Sequence, residues 1–457
     1  MMRALELSEL EAPLQAQRLG GDCQVERVVT DSRQLAAGDL FVALKGPNFD
    51  GHDFVGAAAM KGAAAVLVDH AVETSLPQLV VTDTLKALGQ LGAYNRSLFR
   101  GAVFAVTGSG GKTTVKEMLA GLLSTRGDVL ATRGNLNNEI GAPLTLLELA
   151  PGHTAGVIEL GANAQGEIAR TVSYTQPDVA ILNNAMGAHL EGFGGIEGVV
   201  KAKAEIFTGL KEGGVGVVNL DSPYAAVWME GLARLKRRVF TFGVENGAAD
   251  LSASKLEMNA DGSWRFELDD GTERLPVSLQ VLGRHNVANA TAAAAAWVAA
   301  GQPLSAIKGV LDQFKPVSGR LSPHRLAGGA LVIDDSYNAN ADAIKAATDL
   351  LAQLPGQRVL VLGDMAELGQ ESERLHAEVG RYAAERGVEQ LLATGPQMAG
   401  AVAAFNNIKT GAQHFAAQET LIERLRTLLT PETCVLVKGS RSAAMDRVVD
   451  ALLKGED

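Results

Sequence analysis

The chain has little cysteine, no long basic run and no long apolar stretch, and each shortage closes off a class of protein. Only two cysteines, Cys23 and Cys434, occur in 457 residues. They stand far apart, in no metal-binding or redox spacing, which fits a reducing compartment rather than a disulfide scaffold. Acidic residues outnumber basic ones by 52 to 41, for a net charge of −11. That balance argues against general nucleic-acid binding, and an anionic substrate must be gripped by local donors against the overall field. The longest apolar run, Ala292 to Ala300, is too short to cross a bilayer. The opening Met1-Met2-Arg3-Ala4-Leu5-Glu6 lacks the apolar core of a secretion signal. A cytoplasmic monomer is expected, with neither nucleic acid nor membrane among its partners.

Glycine and aliphatic residues are abundant. The 51 glycines suit many βα turns, and 47% hydrophobic content is ample for buried sheets. The length implies about three domains. Residues 1–83 read as a small α/β unit with strand-like runs Leu40–Leu44, Ala65–Val68 and Leu79–Val81. Residues 84–314 alternate strands (Gly156–Leu160, Val179–Leu182, Val215–Leu220) with helices, the pattern of a mostly parallel sheet. From about Val239 to Leu282 short alternating strands predict an antiparallel appendage, closed by an alanine-rich helix from Asn286. Residues 315–457 return to βα alternation of a Rossmann-like kind. The expected fold class is therefore α/β in three domains.

The most informative stretch is Thr107-Gly108-Ser109-Gly110-Gly111-Lys112-Thr113-Thr114, directly after the apolar run Val103–Val106. A strand feeding a glycine-rich loop that ends in Gly-Lys-Thr at a helix start cradles phosphate oxygens with backbone N–H groups. Lys112 can reach terminal phosphates, and the Thr113 hydroxyl suits Mg²⁺. Val106 stands where the general P-loop pattern has its first glycine, so a plain glycine-rich turn stays open as the other reading.

Strand ends supply further candidates, because ligands of open parallel sheets gather there. Glu159 ends one such strand and is a natural Mg²⁺ ligand or, alternatively, a helix cap. His189 follows the next strand and is a metal ligand or an ordinary surface histidine. Helical spacing puts Lys203 in the middle of an apolar stripe of Val199, Ile206, Phe207 and Leu210, while Lys201 faces away between Glu197 and Glu205. A buried ammonium must be paired, neutral or chemically altered. A neutral amine can add CO₂ to give an anionic carbamate able to hold Mg²⁺; the plainer reading is a snorkelling lysine.

Several segments together resemble the Mur ligase family, over essentially the whole chain. They are the loop Gly108–Thr114, Glu159-Leu160-Gly161-Ala162-Asn163, Ala202–Phe207 and Gly283-Arg284-His285-Asn286-Val287-Ala288-Asn289-Ala290. Asn135–Gly141, Asp334–Asn340, Gly363–Gly369 and Lys438-Gly439-Ser440-Arg441 point within it to the D-alanyl-D-alanine-adding member. The family's loop begins Thr-Gly, which accounts for Val106. Ala341 departs from the proline the family often has there, which bears on loop stiffness.

The resemblance implies ATP-dependent, ADP-forming ligation of D-alanyl-D-alanine to UDP-N-acetylmuramoyl-tripeptide through an acyl phosphate, a step of peptidoglycan synthesis. It implies two Mg²⁺ ions, held by Thr113, Glu159, His189 and a Lys203 carbamylated by CO₂, with Lys112 beside them in catalysis. It implies ATP contacts from Thr107, Gly108, Ser109, Gly110, Gly111, Lys112, Thr113 and Thr114. Asn286, Arg320, Asp335 and Tyr337 complete that set. It implies a uridine diphosphate site from Ser32, Arg33, Lys45 and Gly46, with Asn137, Asn138 and Glu139 toward the muramyl peptide. Two other readings stay open: a related ligase that adds a single amino acid, and a P-loop nucleotide-binding regulatory protein.

Overall fold

Strands that are apolar on both faces need cover on both faces, and the chain supplies it with helices. The computed structural model describes residues 2–187 and 190–454, the side chains of Leu190 and Glu191 excepted. Three large sheets organise these residues. The first has five strands in the order Gln17–Leu19, Gln78–Val80, Ala65–Val68, Asp39–Val42, Arg27–Val29, parallel except for the first pair.

The second sheet has nine strands. Its order is Val129–Ala131, Ala155–Glu159, Ala102–Thr107, Val179–Leu182, Val215–Asn219, Arg238–Val244, Leu251–Met258, Trp264–Asp269, Arg274–Leu279. The expected antiparallel appendage is smaller than the sequence implies. Arg238–Val244 and Leu251–Met258 both extend the sheet in parallel, and only Trp264–Asp269 runs the other way, antiparallel to the strand on each side of it. The alternation of exposed residues there reflects an edge region open on one face, which reads the same in either strand direction. The alanine-rich helix His285–Ala299 packs beneath this sheet, and methyl-sized side chains let it lie close against Lys112–Ser124.

The third sheet runs Ser322–Arg325, Leu331–Asp335, Thr433–Lys438, Gln357–Gly363, Gln390–Thr394, Ala412–Phe415. It is parallel apart from its first strand. Helix Ala341–Gln353 starts where the Asn340 side chain accepts from the Ala343 N–H at 2.8 Å.

The sheets are not independent. Helix Thr84–Leu98, capped by Asp83, sends Leu88 and Leu91 into one cluster with Leu40 and Leu67 of the first sheet and Leu147 of the central unit. Full burial of each leucine stabilises by about 2 kcal/mol, so this junction is a continuous core rather than a hinge contact. On the other side Leu282 joins the third core with Leu321, Leu350 and Leu354.

Candidate active site

The glycine-rich loop sits at the carboxyl end of Ala102–Thr107, where the sheet's parallel neighbours also end. Gly111 caps helix Lys112–Ser124 with φ +76°, a left-handed conformation, and a side chain there would come within 2.2 Å of Asn289 Oδ1. Glycine is thus required for the turn and for the close approach. A fence of amides holds the loop from below. Asn184 Oδ1 accepts from the Gly110 N–H at 2.9 Å, and Asn183 Nδ2 donates to the Gly110 carbonyl at 3.0 Å and to Asn289 Oδ1 at 2.9 Å. Ser109 Oγ exchanges hydrogen bonds with the backbone of Met186. No role for Asn183, Asn184 or Asn289 was legible in the sequence; the first two were signalled only by their place after a strand end, and Asn289 only as a member of the Gly283–Ala290 segment.

Within the loop Lys112 Nζ donates to the Gly108 carbonyl at 2.8 Å, curled back over the cradle. Burial holds its pKa below the ordinary lysine value, Glu159 opposes that shift, and Arg320 adds to it. Thr107 is fully buried, its hydroxyl donating to the Leu160 carbonyl, so its side chain serves the strand rather than the cradle.

Glu159 is 2% exposed at the end of Ala155–Glu159 and caps no helix. Its Oε2 accepts from Thr113 Oγ1 at 2.9 Å and its Oε1 from Asn137 Nδ2 at 2.8 Å. Thr113 Oγ1 in turn accepts from Arg320 Nη2 at 2.9 Å, a side chain of the C-terminal unit. A buried carboxylate beside a hydroxyl is a set of hard oxygen donors, and it fits Mg²⁺. His189 lies outside the described residues.

Lys203 is 2% exposed, packed with Val199, Ile206, Phe207 and Leu210 in one buried cluster, as the spacing predicts. Its Nζ lies 5.2 Å from the Phe193 ring centre. Burial, with Lys112 nearby, pulls its pKa down to about 7, so a substantial share of the amine is neutral at neutral pH. A snorkelling geometry is not what this residue adopts. Lys201 is exposed, but Glu205 does not pair with it: its carboxylate accepts from the N–H groups of Gly166 and Ala169 at the start of helix Glu167–Thr175.

Asn286 is buried inside the first turn of its helix. Its Nδ2 donates to the Leu282 carbonyl and its Oδ1 accepts from Asn289, so it is no N-cap. Asp335 receives Lys438 Nζ at 2.6 Å. Arg320 Cζ stands 4.3 Å from the centre of the Tyr337 ring and Arg441 Cζ 5.8 Å from it. Arg320 thus joins Tyr337 to Thr113 of the glycine-rich loop, while Asp335 accepts from the N–H of Leu321, the residue after Arg320, at 3.3 Å.

The first-unit candidates are arranged differently. Arg33 is paired with Asp31 at 2.8 Å, and Lys45 with Asp50 at 3.3 Å. Asp50 also binds His52 Nδ1, which fixes the hairpin of Lys45–Gly46 and Phe49–Asp50. Ser32 opens the short 3₁₀ turn whose cap is Asp31. Each member of the Asn137-Asn138-Glu139 loop has a local partner. Asn137 binds Glu159, Asn138 Oδ1 accepts from the Gly141 N–H at 2.8 Å, and Glu139 pairs with Arg170.

Three α/β units in series, the central one carrying a glycine-rich loop, a buried carboxylate and a buried lysine, have the make-up of a ligase of the Mur type. Matches to family models span it in order: Mur ligase family, catalytic domain, over residues 24–96; Mur ligase middle domain over 106–297; Mur ligase, glutamate ligase domain, over 319–441. The chain belongs to the Mur ligase family. It is 47% identical over 453 residues to the UDP-N-acetylmuramoyl-tripeptide–D-alanyl-D-alanine ligase of Escherichia coli, covering 99% of each chain. Its fold superposes on the crystal structure of MurF from Acinetobacter baumannii with a TM-score of 0.93 at 36% identity, covering 99% of each. It also superposes on the MurF ligase of Thermotoga maritima in complex with ADP, with a TM-score of 0.84 at 30% identity, covering 94% of this chain and 97% of that one.

Proposed function

We infer that the chain joins D-alanyl-D-alanine to UDP-N-acetylmuramoyl-tripeptide, consuming ATP and releasing ADP and phosphate, in peptidoglycan synthesis. The likeness to the Escherichia coli ligase over 99% of both chains supports the substrates. The hydrogen-bonded chain Arg320–Thr113–Glu159 supports the site, because it links two domains at the one point where a metal-bound triphosphate belongs. The reading includes a monomeric enzyme working in the cytoplasm.

The tripeptide's terminal carboxylate attacks the γ-phosphorus, the bond to the β-bridging oxygen breaks, and an acyl phosphate and ADP result. The D-alanyl-D-alanine amine then attacks the acyl carbon and loses a proton, and the tetrahedral intermediate expels phosphate. Positioning and charge neutralisation do most of the work in such transfers. Lys112 leaves the Gly108 carbonyl and turns to the phosphates, while the loop N–H groups bind their oxygens. Thr113, Glu159, His189 and carbamylated Lys203 would hold two Mg²⁺ ions, which would neutralise charge on the phosphoryl oxygens. Lys203 reaches the carbamate from its neutral amine, which adds CO₂ and releases a proton; its depressed pKa favours that form. Arg33 and Lys45 exchange their carboxylate partners for the substrate's diphosphate.

Phosphate release tests the whole reading. It is expected only when ATP, D-alanyl-D-alanine and UDP-N-acetylmuramoyl-tripeptide are all present. Release with a single amino acid in place of the dipeptide would instead mark a one-residue ligase, and release with no acceptor a nucleotide switch.

A further inference from the structure

Glu159 is held by three neighbours, one on its backbone and two on its carboxylate. Its own N–H donates to Thr132 Oγ1 at 2.9 Å, Thr113 Oγ1 donates to Oε2, and Asn137 Nδ2 donates to Oε1. Thr132 is itself 1% exposed, and its carbonyl accepts from the buried ammonium of Lys116. Asn137 is equally constrained. Its N–H donates to the Asn135 carbonyl and its carbonyl accepts from the Gly161 N–H, both at 2.8 Å. Gly161 lies two residues beyond Glu159, and a Cβ there would stand 2.9 Å from Asn137 Oδ1. The glycine therefore leaves room for the side chain that reaches back to the carboxylate.

These contacts matter because a carboxylate turns easily about its last torsion, and a metal ion needs one fixed orientation. Two donors on different oxygens fix its plane. An amide donor also brings no charge of its own, where a cation would compete with the metal. Resting on the magnesium-nucleotide reading above, we propose that Asn137 is a positioning residue that orients Glu159 for Mg²⁺, and that its amide does not recognise the muramyl peptide.

The test is the affinity of the ADP complex for Mn²⁺, followed by the resonance of free Mn²⁺, beside the KM values for Mg²⁺ and for UDP-N-acetylmuramoyl-tripeptide. Asn137→Ala should weaken Mn²⁺ binding about 10-fold, the scale usual for groups that orient metal ligands. The Mg²⁺ requirement should rise in step, with the KM for the UDP-tripeptide within about twofold of the parent. Gly161→Ala, which crowds Asn137 without removing it, should reproduce the Mn²⁺ defect and serves if Asn137→Ala does not fold. Unchanged Mn²⁺ affinity in either folded variant, with a raised KM for the UDP-tripeptide, would overturn the proposal and make Asn137 a substrate contact. Glu159→Gln separates this from the underlying reading: if it too leaves Mn²⁺ affinity intact, the metal site itself is misassigned.

Discussion

Lys203 and Arg33 are both basic residues expected to serve a bound nucleotide, the first as a carbamate that holds Mg²⁺ and the second by direct contact, yet 2% of Lys203 is exposed against 89% of the Arg33 side chain. The first sits in the core of the central unit, and its charge is altered by that place. The second lies on the surface of the first unit, with its charge already met by Asp31. The same contrast runs through their neighbours. Thr113, Glu159, Asn137 and Arg320 form one network that crosses domains. Lys45 with Asp50 and Arg33 with Asp31 are separate local pairs. A buried network is felt as a whole when one member is lost, whereas exposed pairs act singly and weakly.

Lys112→Ala should show the largest effect. Removing a preorganised cation from the phosphoryl-transfer site is expected to lower kcat roughly 1,000-fold. Phosphate release under saturating substrates measures it. A loss no larger than that of Arg33→Ala would erase the distinction between the two sites.

Lys203→Ala comes next, with a loss of roughly 100-fold. Added short carboxylic acids should restore part of the rate by standing in for the carbamate. Full activity in Lys203→Ala would remove this residue from the chemistry. Its burial has a separate signature in stability. The folded pKa is about 7 against an ordinary 10.5, so between these values the unfolded chain binds more protons and stability rises with pH. Below pH 7 the penalty is complete. In bicarbonate-free buffer Lys203→Met should therefore exceed the parent in stability most at low pH, with the gap closing toward pH 10.5. Denaturant melts across that range would expose a flat difference if the ammonium were solvated.

The contrast also explains what the sequence could tell. The loop Gly108–Thr114 and the strand end at Glu159 were legible because a turn of that tightness demands glycine and a parallel sheet gathers ligands at one edge, whereas Asp335 was legible only by resemblance. Lys203 was legible because a charge breaks an apolar stripe. The amide fence of Asn183, Asn184 and Asn289 was not, since asparagine after a strand or in a helix has no period of its own. The partner of Glu205 was missed for a similar reason: sequence neighbours at i−4 compete with backbone donors of a helix about 36 residues earlier. The extent of the antiparallel strands was hidden because alternation reports exposure, not direction. In the first unit the residues were legible only by resemblance, because Asp31-Ser32-Arg33 reads by itself as no more than a local turn.

Arg33→Ala should be milder and cleaner than either lysine change. A single exposed guanidinium on a diphosphate is expected to be worth about tenfold in KM for the UDP-tripeptide. The KM for ATP and the melting temperature should not move, because no core or cross-domain bond is lost. A parallel rise in both KM values would mean that the two sites communicate.

The smallest effect concerns the anion already paired with that guanidinium. Asp31 accepts from both the Arg33 side chain and the Arg33 N–H, and these bonds hold its pKa down to about 2. The pairing is present at ordinary pH and is lost only as pH falls through about 2. If a diphosphate draws Arg33 away and brings its own negative charge, the ionised carboxylate loses its principal support, and its pKa must rise toward the ordinary aspartate value of 3.8. Carbon-13 carboxyl shifts of Asp31, followed from pH 5 downward with and without UDP, measure this directly. The free protein should stay ionised throughout that descent until near its unfolding, while the complex titrates earlier. Equal titration in both states would mean that Arg33 keeps Asp31 when the ligand binds, and the exchange of partners that distinguishes the surface site from the buried one would be lost.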